Sequence, residues 1–151
     1  MTRTATITAA FLVAALAPAL ARDEHFAAGA PGNPKQPART VTVVMGEAGG
    51  AMKFTPDRLD VKKGEQVRFL LENKGALPHE FRLATVEDND EHAAMMREMP
   101  DMKHHEANAV SLDPGKSTEI LWRFTQAGAF EFACLIPGHR EAGMHGTVTV
   151  K

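Results

Sequence analysis

The chain has 151 residues, with 17 Lys and Arg against 19 Asp and Glu and a formal charge of −2 when histidine is neutral. This balance offers no basic surface for nucleic acid or for an anionic membrane, and the length suits one domain with a real core behind any targeting segment. A single cysteine excludes an internal disulfide.

Residues 1–21 read as a secretory signal. Arg3 gives the positive start, residues 9–17 form a short apolar run with Phe11, Leu12, Val13 and Leu16, and Ala19-Leu20-Ala21 offers small residues for cleavage. The run is far shorter than the roughly 20 apolar residues a membrane-spanning helix needs. Export to the periplasm and cleavage after Ala21 are therefore expected. An unpaired thiol in an oxidising compartment is a liability unless something occupies it, and a metal is the economical occupant.

Residues 22–39 contain Gly29, Pro31, Gly32, Pro34 and Pro37 with few large apolar side chains, the composition of a mobile arm. His25 in this arm reads more readily as a solvated side chain than as an accessory metal contact. The domain proper is expected over residues 40–151. From Thr40 the pattern has period two: Val41, Val43 and Met45 alternate with Thr42 and Val44, and Val67, Phe69 and Leu71 with Arg68 and Leu70. Further strands are expected over 58–62, 79–85, 109–112, 117–125, 129–133 and 146–150. Lys63-Gly64, Asn73-Lys74-Gly75, Asp113-Pro114-Gly115 and Ala127-Gly128 mark turns between them. Seven or eight short strands at this spacing predict an all-β sandwich. Trp122, alternating with Ile120 and Phe124, is expected in its core.

One segment departs from this pattern. Residues 87–102 lack β-branched residues and predict a helix with flanking loop, inserted between strands. Met95, Met96, Met99 and Met102, half of the eight methionines, fall here, with His92 before them and His104 and His105 after. At helical spacing 92/96, 95/99 and 99/102 lie on neighbouring faces. Two readings stay open: the methionines pack the helix on the sandwich, or their soft thioethers, with the histidines, form a second site for Cu(I).

The densest chemical signal is Cys134, followed at equal steps of five by His139 and Met144 in a stretch with Pro137, Gly138 and Gly143, and preceded far upstream by His79. The glycines and proline make the chain turn back, so three side chains can surround one point. One thiolate, two imidazoles and a thioether form the ligand set of a type 1 copper centre. His145 competes with Met144 for the last position. It opens a strand in which neighbouring side chains alternate faces, and a solvent-facing role is expected for it.

With these residues placed, the chain resembles the cupredoxins, the group of plastocyanin, azurin and auracyanin. The match covers about residues 40–151 and includes Phe54 to Gly64, Asn73, His79, Asp113-Pro114-Gly115, Gly128 to Cys134 and Gly146 to Val150. The resemblance implies a Greek-key sandwich, with His79, Cys134 and His139 as equatorial ligands of one copper and Met144 as the axial one. The Met- and His-rich insert is similar to that of periplasmic copper-tolerance cupredoxins. Many cupredoxins carry Asn directly after the first ligand histidine, where this chain has Glu80. That departure leaves open whether the centre is blue or a more tetragonal green, because outer hydrogen bonds tune such sites.

Two functions follow as expectations. The first is periplasmic copper tolerance, with the insert as capture element and copper ions or a copper-handling protein as partners. The alternative is a one-electron carrier that docks a redox protein through Ala76, Leu77, Pro78, Pro137, Ala142 and Gly143. Either would act as a monomer. A copper enzyme is not expected: there is no His-x-His pair for an oxygen-reducing cluster, and a metal holding four protein ligands lacks the open position that catalysis needs.

Overall fold

The computed structural model describes residues 26–99, 103 and 106–151. The expected signal over 1–21, His25, Met102, His104 and His105 lie outside the described residues. In chain order the strands are β1 (Ala30–Pro31), β2 (Arg39–Ala48), β3 (Ala51–Thr55), β4 (Arg58–Val61), β5 (Gln66–Asn73) and β6 (His79–Ala84). Helix α1 (Val86–Glu98) follows, then β7 (Ala109–Leu112), β8 (Ser117–Arg123), β9 (Gly128–Ala133) and β10 (His145–Val150). They form two five-stranded sheets, ordered β1-β8-β5-β2-β3 and β4-β10-β9-β6-β7. No described helix is long and apolar enough to cross a membrane.

The period-two patterns bury what they predict. Val43 and Met45 of β2, Val67, Phe69 and Leu71 of β5 and Ile120 and Trp122 of β8 all face the core, opposite Phe81, Leu83, Phe130, Phe132, Val148 and Val150 of the second sheet. Phe54 and Phe69 from one sheet meet Phe81 and Phe132 from the other, with ring centroids 5.2–6.0 Å apart. Each such buried ring stabilises the sandwich by about 1.5–3 kcal/mol. The close packing needs a glycine at 146, where a Cβ would lie 2.2 Å from the Phe132 ring.

Residues 26–39 depart from the mobile arm expected of them. Phe26 packs edge-on against Trp122 at 5.2 Å, Ala28 is fully buried, and the Trp122 indole N–H points at the Ala28 carbonyl, 3.4 Å away. Ala30 and Pro31 then pair with Arg123 and Trp122. Proline is tolerated there because β1 is an edge strand. Further along, the Gln66 side chain accepts from Asn33 N–H at 2.6 Å and donates to the Asn33 and Gln36 carbonyls. Two apolar residues and one polar clasp outweigh a composition rich in proline and glycine.

Helix α1 ends earlier than the segment expected over 87–102, at Glu98, with Met99 as its C-cap. It begins one residue sooner because Thr85 is its N-cap and not the end of a strand: the Thr85 hydroxyl accepts from Asp88 N–H at 3.0 Å. Glu87 and Asp88 in the first turn and Arg97 in the last complement the helix dipole.

Candidate metal centre

His79 is the first residue of β6, and Cys134 follows the last residue of β9. These strands are neighbours, with Arg82 opposite Ala133. The loop between β9 and β10 carries His139 and Met144 and is closed by its own backbone. Cys134 N–H donates to the Met144 carbonyl at 3.1 Å, Met144 N–H to the His139 carbonyl at 3.0 Å, and His139 N–H to the Ile136 carbonyl at 3.0 Å. The turn that the glycines and proline predict is thus a hydrogen-bonded hook.

The hook brings three donor atoms together. His79 Nδ1 lies 3.3 Å from His139 Nδ1, and His139 Nδ1 lies 3.3 Å from Cys134 Sγ. The ligand atoms of His79, Cys134 and His139 all fall within 4.8 Å of one another. Among the described residues this is the one group of histidine, cysteine and acidic side chains close enough to hold a metal ion. His79 and Cys134 are fully buried, while His139 is half-buried.

Burial shapes the electrostatics. It pushes the Cys134 thiol up to about 12, against the lowering effect of the Glu80 and Ile136 N–H groups; Glu80 N–H donates to the sulfur at 3.3 Å. It also holds both imidazoles below their ordinary value, opposed at His79 by Glu47 and reinforced at His139 by His79. Two neutral imidazoles and one soft sulfur, shielded from water, fit copper better than a hard cation, which would demand oxygen ligands.

Met144 is fully buried in the core cluster that also contains Cys134. His145 has a side chain 53% exposed, 3.9 Å from the Glu131 carboxylate, and is solvent-facing as its place in the strand predicts. The insert divides. Met96 is fully buried against Ala133 and Leu135, so its thioether packs the helix onto the site's own strand and does not reach solvent. Met95 and Met99 are exposed. His92 is half-buried in a cleft with Arg82, Asp88 and Glu106.

Two groups around the site were invisible in the sequence pattern. Glu47, at the far end of β2, places Oε1 2.8 Å from His79 Nε2. The Ala76 N–H, donating at 2.9 Å, holds this carboxyl below the usual carboxylate range. Arg140, next to His139, lies 2.9 Å from Glu131 and also pairs with Asp90 of α1, while Asn89 of α1 donates to Glu131 at 3.0 Å. The insert helix is therefore fastened to the ligand loop. The Glu47–His79 and Arg140–Asp90 contacts join positions far apart in the chain, and no local motif marks them.

Residues 41–151 match the family model described as copper binding proteins, plastocyanin/azurin family. The chain belongs to this family. The copper-resistant cuproprotein CopI of Rubrivivax gelatinosus is 49% identical over 131 residues, covering 87% of this chain and 78% of the relative. The protein of the same description from Pseudomonas aeruginosa is 38% identical over 152 residues, covering 82% of each. Among solved structures, auracyanin B superposes with a TM-score of 0.62 at 26% identity, over 82% of this chain and 96% of that one. The cupredoxin sandwich is thus shared, and copper is the metal that this family's centre holds.

Proposed function

We propose that the chain is a periplasmic copper-tolerance protein whose single type 1 copper is held by His79, Cys134 and His139, with Met144 as the weak axial ligand. The observation that carries this reading is the convergence of His79 Nδ1, His139 Nδ1 and Cys134 Sγ in a buried pocket, in a chain similar over most of its length to copper-resistant cuproproteins. Copper bound there supplies one-electron chemistry between Cu(I) and Cu(II). The chain's own part is to keep two imidazoles neutral, to screen the sulfur from solvent, and to aim the Glu80 N–H at that sulfur so that negative charge on it is stabilised. Four protein ligands leave no open coordination position, which argues for binding and redox cycling over catalysis.

The test is spectroscopic and cellular. The copper-loaded protein should show an intense visible thiolate-to-copper band. Cys134→Ala should abolish it and remove protection of copper-stressed cells, while Met144→Gln should keep copper and shift the reduction potential. An intense band that survives Cys134→Ala would sink the assignment.

A second reading, a one-electron carrier, is favoured by one observation. Ala76, Leu77, Pro78, Pro137, Ala142 and Gly143 are all exposed, and Leu77, Pro78 and Ile136 line a cleft that includes His79 and His139. Such an apolar rim beside a half-buried ligand imidazole suits a transient redox partner. If copper-stress protection is unchanged in Cys134→Ala at equal protein level, the carrier reading takes precedence.

A further inference from the structure

We propose that Glu47 is the positioning residue of the copper centre: its carboxylate fixes the tautomer of His79 and biases the bound metal toward Cu(II). The proposal rests on the type 1 reading above for the metal's identity, and on geometry for the rest. The fully buried His79 has two ring nitrogens with different neighbours. Nδ1 faces His139 Nδ1 and the cysteine, whereas Nε2 faces Glu47 Oε1 at 2.8 Å. A carboxylate can only accept, so the contact requires the proton on Nε2 and leaves the Nδ1 lone pair free for the metal.

Glu47 can do this because it is itself held. Its Oε2 accepts from Ala76 N–H at 2.9 Å and its Oε1 from Leu77 N–H at 3.3 Å. Room for the carboxylate exists because residue 75 is glycine: a Cβ there would lie 2.6 Å from Oε2. The clamp joins the end of β2 to the loop before β6, and to His79 at the start of β6 in the opposite sheet, 32 positions along the chain. Carboxylate–histidine–metal relays orient the ring and make it a more basic ligand. A negative charge behind the ligand also stabilises the more positive oxidation state.

Three measurements test it. In the metal-free parent, nitrogen-15 chemical shifts should report His79 as the Nε2–H form, a result that needs no variant and no copper. Glu47→Gln keeps an acceptor for His79 but loses the charge and the Ala76 contact, so the loaded variant should retain its visible band at a raised reduction potential. Glu47→Ala removes charge and brace together; it should mix the His79 tautomers and lower Cu(II) affinity by about 10–100-fold, with Glu47→Asp restoring part of that loss. A parent His79 in the Nδ1–H form, or an unchanged potential in Glu47→Gln with its band intact, would overturn the proposal. A parent without any intense band would instead overturn the type 1 assignment, and the tautomer measurement would still decide the role of Glu47.

Discussion

The side chains that converge at the site differ in what each must do before it can take a metal. His79 and His139 lie below the ordinary imidazole value because burial disfavours their charged forms, so both are neutral at pH 7. Cys134, raised to about 12, is a thiol at that pH and must lose its proton. Copper binding at pH 7 should therefore release about one proton per site, and the apparent affinity should rise about tenfold per pH unit while the thiol remains protonated. The sign follows from competition, since raising the pH removes the proton that the metal must displace. Calorimetry of Cu(II) binding in buffers of unequal ionisation enthalpy measures the count. A value near zero would mean that the thiolate forms before the metal arrives, and a value near three would mean that both imidazoles were charged.

Helix α1 makes two demands on its methionines, and the structure separates them by residue. Met96, fully buried on Ala133 and Leu135, is a packing residue: Met96→Ala should cost about 2–5 kcal/mol of stability in denaturant unfolding. Met95 and Met99, both exposed, should change stability by no more than about 0.5 kcal/mol when replaced by Leu. If the insert captures Cu(I), that double variant should bind fewer Cu(I) equivalents with the visible band intact; an unchanged stoichiometry leaves α1 a structural element. The helix was legible in the sequence because residues 87–102 lack the β-branched side chains of the strands around them. Its start was not, since Thr85 continues the apolar strand before it and only the hydroxyl contact with Asp88 distinguishes cap from strand. The hydrogen-bonded hook between β9 and β10 was legible for the opposite reason: Cys134, His139 and Met144 are close in sequence, so spacing and turn residues suffice. Glu47 and the Arg140–Asp90 pair depend on chain returning from elsewhere, and their residue types are common on surfaces.

At the scale of the whole molecule, the sandwich was legible wherever one face of a strand is strongly apolar, as in Phe69 and Leu71 of β5. Strand β3 was not anticipated, because Ala51-Met52-Lys53 carries little pattern of its own and is held by pairing with Gly46, Glu47 and Ala48 of β2. The docked segment 26–31 was missed likewise, its structure being conferred by Trp122 and by the edge of β8. That docking has an optical consequence. With one tryptophan and no tyrosine in the chain, intrinsic fluorescence comes from a single indole, sealed on one side by Phe26 and Ala28. A chain lacking residues 1–31 should emit at longer wavelength and be quenched more readily by iodide than one beginning at residue 22, while its visible copper band stays unchanged. Equal emission and equal quenching in the two would show that Trp122 is shielded without the segment. Otherwise the emission maximum and its quenching read, without any added label, whether residues 26–31 are seated on the sandwich.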